Sequence, residues 1–141
     1  MEMRIDHVAH PSRDPAATHR FYSEVLKLRL IQAYAGPELM LVYRLPGGGS
    51  LVFSARRGDT RPPGDGMAWE RRHVGLTVPT RAEFDAWLQR LKECGVRHEL
   101  VDEERIYFAD PDGLVLELEV ESPASDDDPA ASEVVERWLS S

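Results

Sequence analysis

The stretch Tyr107-Phe108-Ala109-Asp110-Pro111-Asp112-Gly113-Leu114-Val115-Leu116-Glu117 decides how this chain of 141 residues is organised. Its Asp-Pro-Asp-Gly sequence at 110–113 is typical of a tight turn, and the apolar residues on either side predict the two strands of a hairpin. The second strand contains Glu117 at a position where a strand would otherwise carry an apolar residue. This carboxylate is therefore a candidate metal ligand.

The chain before this hairpin contains the same opening twice. His73-Val74 is followed by Trp87, and His7-Val8 is followed by Phe21, in each case fourteen residues after the histidine. The chain thus has two similar halves that each begin with a histidine. Two histidines and one glutamate make a plausible metal site.

The pattern of each half predicts one strand, one helix and three further strands. The first helix starts at Asp14-Pro15, and the second starts at a capping box formed by Thr80 and Glu83. The predicted bounds are 4–10, 16–28 (helix), 30–35, 40–45 and 50–56 in the first half, and 72–78, 80–93 (helix), 97–101, 105–109 and 114–121 in the second. A connector rich in Gly and Pro, at about 58–68, separates the two halves.

We expect one domain at 1–121, with modules at about 3–57 and 70–121, followed by a tail at 122–141. The tail begins with an acidic linker and ends in a short amphipathic helix with one apolar edge, formed by Val134, Val135, Trp138 and Leu139. Two interpretations of this tail remain open: it docks on the body or on a second subunit, or it is a disordered end with a fraying helix.

Composition excludes several classes of partner. The net charge of −8 works against binding to nucleic acid, which depends on clustered Lys and Arg. The apolar stretches are too short to span a bilayer, and the N-terminus lacks the apolar core of a signal peptide. We therefore expect a cytoplasmic protein with neither a nucleic-acid nor a membrane partner. Cys94 is the single cysteine, so an internal disulfide is ruled out.

Two successive βαβββ modules, opened by His7 and His73 and closed by an Asp-Pro-Asp-Gly turn before Glu117, resemble the vicinal oxygen chelate superfamily. This superfamily includes glyoxalase I, extradiol dioxygenases, fosfomycin-resistance transferases and bleomycin-resistance proteins. The resemblance covers about residues 3–121 and implies an α+β fold, in which paired modules curl into a half-open barrel around a cleft.

The resemblance also implies one divalent metal held by His7, His73 and Glu117. Two imidazoles and a carboxylate suit Fe(II) or Mn(II), which we prefer, and also Zn(II), Ni(II) or Co(II). The remaining coordination positions would take a small substrate that offers two vicinal oxygens. Family precedent further implies a homodimer, in which the modules pair either within one chain or across two chains.

For the reaction, the resemblance is best to the extradiol dioxygenases, because His98, Tyr107 and Glu117 follow the order and spacing of their pattern. It implies that His98 and Tyr107 are catalytic hydrogen-bonding or proton-transfer groups. A lyase or isomerase of the same superfamily is the nearest alternative. The extradiol enzymes have an additional acid/base histidine shortly before the second metal histidine, and residues 58–72 contain none.

Glyoxalase I and fosfomycin-transferase activities are less expected. Aligning 51–54 with 114–117 makes Ser54 the counterpart of Glu117, where glyoxalase I proteins usually carry a second carboxylate, and Ala9 stands where fosfomycin transferases have Thr. We expect Ser54, Tyr43 and Phe53 to contact the substrate. An alternative from a different class is a metal-free protein that binds or sequesters a small molecule, like the bleomycin-resistance proteins.

Overall fold

The computed structural model describes residues 5–59, 73–121 and 129–140, and it confirms the α+β fold with two βαβββ modules. Module one contains β1 (His7–Ser12), α1 (Pro15–Arg20), a π-helical segment (Phe21–Val25), β2 (Arg29–Ala35), β3 (Glu38–Arg44) and β4 (Ser50–Arg56). Module two contains β5 (Val74–Val78), α2 (Arg81–Glu93), β6 (His98–Asp102), β7 (Arg105–Ala109) and β8 (Val115–Val120), and α3 (Ala131–Ser140) follows. Most of the predicted connector and the acidic linker lie outside the described residues.

The two modules have the same strand order. Sheet one runs β1-β4-β3-β2 and sheet two runs β5-β8-β7-β6, and the sheets curl without closing into a barrel. In each module the first strand is parallel to the fourth, and the other neighbours are antiparallel. The strand that follows the opening histidine therefore lies beside the last strand of its module.

Both predicted helix starts are confirmed by their caps. The Asp14 side chain accepts a hydrogen bond from the Ala17 backbone N–H at 3.1 Å, and the Thr80 hydroxyl accepts one from the Glu83 N–H at 3.2 Å. Gly95 ends helix α2. Its φ of 67° is in the left-handed region, which glycine adopts without steric cost.

The first helix differs from its prediction as a continuous helix over 16–28. It changes from α-helical to π-helical geometry at Phe21. The wider turn allows two consecutive side chains, Phe21 and Tyr22, to enter the core, where they are only 6% and 0% exposed. Packing of these aromatic rings therefore overrides the regular helical period.

The hydrophobic core lies on one face of each sheet and is shared by the two modules. Leu51 and Phe53 belong to this core on β4, as do Leu116 and Leu118 on β8. Because strand side chains alternate, the residues between them face the other way. We call these opposite faces the cleft faces: His7, Ala9, Val52 and Ser54 lie on that of sheet one, and His73, Tyr107, Glu117 and Glu119 on that of sheet two.

The Asp-Pro-Asp-Gly turn joins module two to module one. Asp110 accepts a hydrogen bond from the Tyr22 hydroxyl at 2.8 Å. Asp112 accepts one from the Arg13 backbone N–H at 2.9 Å and one from the Thr18 hydroxyl at 3.2 Å. These buried contacts hold the modules together through their core sides, so the two cleft faces point away from the shared core.

The tail contains helix α3, whose Val134 and Leu139 side chains are 53% and 71% exposed. Among the described parts of the chain, no helix combines the length and the apolar character needed to cross a membrane.

Candidate metal centre

His73 and Glu117 come together on the cleft face of sheet two. His73 directly precedes β5, and Gly75 of that strand lies opposite Glu117 of β8. The His73 Nε2 atom is 3.8 Å from a Glu117 carboxylate oxygen. Glu117 is only 9% exposed, and glutamate is a residue type that is seldom buried without a polar partner. The pair provides one nitrogen and one oxygen donor of the kinds that divalent transition metals bind.

Tyr107 completes this group from the neighbouring strand. It lies directly opposite Glu117 in the β7–β8 register, and its ring meets the His73 ring edge to face, with 5.6 Å between the ring centres. A hydrogen bond to the Glu117 carboxylate raises the pKa of the Tyr107 hydroxyl, and burial adds to the rise. The hydroxyl therefore stays protonated at neutral pH and serves as a hydrogen-bond donor on the cleft face.

The glycine at position 75 leaves the site accessible. A Cβ built on Gly75 would meet no other heavy atom within 4 Å, so the surface beside Glu117 opens directly to the outside of the sheet. Because Gly75 lies opposite Glu117 in the β5–β8 pair, a larger side chain at this position would share the cleft face with the carboxylate.

His7 lies on the cleft face of sheet one and is already oriented. Its Nδ1 atom is 2.8 Å from an Asp6 carboxylate oxygen, and its side chain is 52% exposed. A carboxylate that accepts a hydrogen bond from one imidazole N–H fixes the ring orientation and leaves the other nitrogen as a ligand. His7 thus has the environment of a metal-binding histidine, at the exposed start of an edge strand.

A single chain does not bring His7 to the other two candidate ligands. Within the described segments, which include all three residues, no group of three or more His, Cys, Asp and Glu side chains is close enough to hold a metal. The reason is topological, because the two modules contact each other through their core faces and direct their cleft faces outwards. Sheet two therefore provides two donors, and sheet one provides a third on a separate surface.

The strand registers correct the expected counterpart of Glu117. Gly75 lies opposite Glu117, and Ala9, which follows its own opening histidine by the same two residues, lies opposite Val52. The counterpart of Glu117 in module one is therefore Val52, not Ser54. The prediction of Ser54 rested on an alignment of the apolar patterns of the two closing strands. The parallel pairing of β1 with β4 instead places the counterpart of Glu117 two residues earlier, at Val52.

Four predicted site residues lie away from the His73–Glu117 pair. Tyr43 and Phe53 were expected to contact the substrate, but both are core residues with 0% and 1% exposure. His98 pairs with Phe108 of the core face, so its side chain is directed to the side opposite Tyr107. Ser54 is on the cleft face, four residues along β4 from Ser50, which is the partner of His7. There it donates a hydrogen bond of 2.5 Å to Glu38.

Sequence reasoning did not find Asp6 as the partner of His7, nor Gly75 and the Glu38–Arg56 ion pair as parts of the cleft faces. Asp6 had a usable signal, since a carboxylate next to a candidate ligand histidine is a common orienting partner. Gly75 in a strand, two residues after a histidine, also indicates a close approach or an opening. Glu38 and Arg56 are brought together only by the β3–β4 register, which the sequence does not specify.

Comparison with known proteins identifies the family. Residues 4–118 match the model of the glyoxalase/bleomycin resistance protein/dioxygenase superfamily, so this chain belongs to that superfamily. This result confirms the resemblance inferred from the two βαβββ modules.

Individual relatives span several activities. The chain is 26% identical over 124 residues to the metallothiol transferase FosB of Staphylococcus saprophyticus, covering 84% of this chain and 77% of that protein. A glyoxalase/bleomycin resistance protein/dioxygenase domain from Frankia sp. EAN1pec superposes with a TM-score of 0.72 at 23% identity, over 86% of this chain and 100% of that one. The trypanothione-dependent glyoxalase I of Leishmania major gives 0.71 at 18% identity, over 99% and 96%. The two structural likenesses show the fold alone.

Proposed function

We propose that this protein is a divalent-metal-dependent enzyme that acts on a small substrate with two vicinal oxygens. The observation that carries the proposal is the placement of the nearly buried Glu117 carboxylate 3.8 Å from the His73 imidazole, on an open sheet face. A metal held by imidazole and carboxylate would supply Lewis acidity and open positions for the substrate oxygens.

The third ligand in this proposal is His7 of the partner subunit in a homodimer. The cleft faces of both sheets are directed outwards, and both begin at edge strands, β1 and β5. Two chains that place these faces against each other would close the cleft and complete two equivalent sites, as expected of a twofold dimer. The alternative pairing within one chain would require the modules to separate from their shared core.

Tyr107 is the proposed acid–base residue. Its hydroxyl is on the same face as the two ligands, and its hydrogen bond to the Glu117 carboxylate raises its pKa above the ordinary tyrosine value. It can donate a hydrogen bond to a substrate oxygen beside the metal, or give up its proton when the carboxylate is engaged elsewhere. His98 has no comparable support, since its side chain is on the core side of sheet two.

For the reaction we propose extradiol-type oxygenation, in which a substrate with adjacent hydroxyls and O2 need three open positions on Fe(II). A set of two histidines and one carboxylate is the arrangement that non-haem Fe(II) oxygenases use. Isomerisation of the glyoxalase I type is less supported, because the apolar Val52 stands where a second carboxylate would be needed.

Thiol transfer is the second candidate, and the 26% identity to the metallothiol transferase FosB favours it. Both reactions begin with chelation of a small oxygen-bearing substrate, so they share the metal ligands and differ in metal and co-substrate. Oxygen uptake with catechols on the Fe(II) protein would select the first. Consumption of a thiol with fosfomycin on the Mn(II) protein would select the second.

Metal content tests the proposal. Protein purified without added metal or chelator should contain close to one metal per chain, and Glu117→Ala should lose it. Glu119→Ala is a matched control, because Glu119 lies two residues further on the same strand face and pairs with Arg105 at 3.3 Å. Absence of metal in the wild type, even after reconstitution, would support the metal-free ligand-binding alternative instead.

A further inference from the structure

A second polar group lies on the cleft face of sheet one, at the end away from His7. Glu38, Ser54 and Arg56 meet there because the β3–β4 register places Glu38 opposite Arg56 and Met40 opposite Ser54. The Ser54 hydroxyl and the Arg56 Nε each donate a hydrogen bond of 2.5 Å to Glu38, one to each carboxylate oxygen. The three side chains border a cavity of about 640 Å³, together with Ala9 and Pro11 of β1.

Arg56 is held in place by the hydrogen bond from its Nε atom to Glu38. Its Nε is bound to Glu38, and the structure assigns no hydrogen-bond partner to its two terminal nitrogens among the described residues, while the side chain is 77% exposed. The hydrogen bonds from Ser54 and Arg56 lower the pKa of Glu38, so this carboxylate is ionised and keeps the guanidinium anchored. An arginine fixed in this way presents a planar pair of donors at little entropic cost.

The charge of the cavity is consistent with an anionic ligand. Glu38 is neutralised by Arg56 and accepts its two hydrogen bonds within the protein, so it is not oriented towards an incoming group. His10, Arg57 and Asp59 also line the cavity, and Arg57 and Asp59 contribute one formal charge of each sign. Among the residues that the structure describes, the donors of this cluster that no printed partner takes up are therefore the two terminal nitrogens of Arg56.

We propose that Arg56, positioned by Glu38, forms an anion-binding subsite of the cleft, and that the substrate carries a carboxylate or a similar oxyanion apart from its two vicinal oxygens. The substrate part of this inference rests on the proposed function. Arg56 is six residues from Ser50, the partner of His7 in the β1–β4 register, so about 20 Å of strand separates the backbone of Arg56 from the level of His7. The substrate is accordingly elongated, with its chelating oxygens at one end and its anionic group at the other.

The first arm of the test needs no metal. Metal-free protein labelled with 15N is titrated by NMR with 3-phenylpropionate and with the neutral 3-phenylpropanamide. The wild type should bind the carboxylate about tenfold more tightly than the amide, and Arg56→Gln should remove this preference. Arg81→Gln is the matched control, since Arg81 also donates from Nε to a carboxylate, that of Asp85, on the exposed surface of α2. No preference in the wild type, or a preference that survives Arg56→Gln, would overturn the subsite.

The second arm connects the subsite to the metal. Zn(II)-loaded protein is titrated with 8-(3,4-dihydroxyphenyl)octanoate and with 4-heptylcatechol, which share the vicinal oxygens and differ in the carboxylate. Tighter binding of the first compound by the wild type and equal binding of both by Arg56→Gln would support the elongated anionic substrate. If the first arm succeeds and neither catechol binds, the anion subsite stands and the proposed metal-dependent function is contradicted.

Discussion

Removal of one hydroxyl from Tyr22 tests whether the Asp-Pro-Asp-Gly turn holds the modules together. In Tyr22→Phe the ring remains in the core, stacked on Phe53 with 4.3 Å between ring centres, but Asp110 loses the hydrogen bond of 2.8 Å. A hydrogen bond to a buried charged group contributes about 1.5–3 kcal/mol. With a urea dependence of about 2 kcal/mol per molar, the unfolding midpoint at pH 7.5 should fall by about 1 M.

The loss in Tyr22→Phe should depend on pH in a defined direction. Burial raises the pKa of Asp110 in the folded protein, and the hydrogen bond from Tyr22 partly lowers it again. The folded protein therefore holds this proton more tightly than the unfolded chain does, and stability declines as pH rises from the unfolded pKa through the folded one. Without the Tyr22 hydroxyl the folded pKa rises further, so the difference between variant and wild type should widen towards neutral pH and narrow in acid.

Tyr43→Phe is the matched control for this prediction. Tyr43 is as fully buried as Tyr22, but its hydroxyl bonds to the ring of the exposed His19 at 2.8 Å. Loss of this bond to a solvent-accessible partner should cost only about 0.5–1 kcal/mol. Urea unfolding followed by fluorescence measures both variants. An equal loss of stability in the two variants would refute the argument that the turn carboxylate is the important partner.

Three further substitutions test the candidate metal centre. Asp6→Asn should weaken Zn(II) binding by the proposed dimer about tenfold in calorimetric titration, because the His7 ring loses its orienting partner; unchanged affinity would exclude that role. Tyr107→Phe should keep its metal in elemental analysis and lose about 10²-fold or more in turnover, whereas an unchanged kcat would remove Tyr107 from the chemistry. Gly75→Leu should stay folded, since within one chain its Cβ meets no heavy atom within 4 Å, but should no longer bind 4-ethylcatechol when loaded with Zn(II); retained binding would show that position 75 does not control access.

The fold was predictable because its signals are local. The repeated histidine openings, the caps at Asp14 and Thr80 and the Asp-Pro-Asp-Gly turn each act within a few residues, and together they specify two βαβββ modules. The π-helical segment was not predictable in this way. It depends on Phe21 and Tyr22 entering one core together, which is a tertiary effect.

The candidate site was predictable only in part. His73 and Glu117 meet as expected, since parallel pairing of the first and last strands of a module follows from the βαβββ order. The faces of Tyr43 and Phe53 were not readable, because Leu41 to Tyr43 and Leu51 to Phe53 are continuous apolar runs without alternation. Within each run, only the strand register decides which side chain enters the core and which lies on the cleft face.

The same limitation explains why Ser54, and not Val52, was predicted as the counterpart of Glu117. Alignment of apolar patterns tolerates an offset of two residues, since side chains of the same strand face repeat at that interval. Counting from each opening histidine across the parallel pair would have selected Val52. The carboxylate of Glu117 is therefore a feature of module two alone.

Subunit complementation tests the central claim, that the metal site combines His7 of the partner subunit with His73 and Glu117. His7→Ala and Glu117→Ala chains carrying different tags are coexpressed, and the heterodimer is isolated by both tags. It should contain one metal per dimer, although each parent homodimer contains none, because one of its two sites unites intact His7 with intact Glu117. A heterodimer without metal, together with one metal per dimer when a wild-type chain is paired with the double variant, would contradict the claim and place the site within one chain.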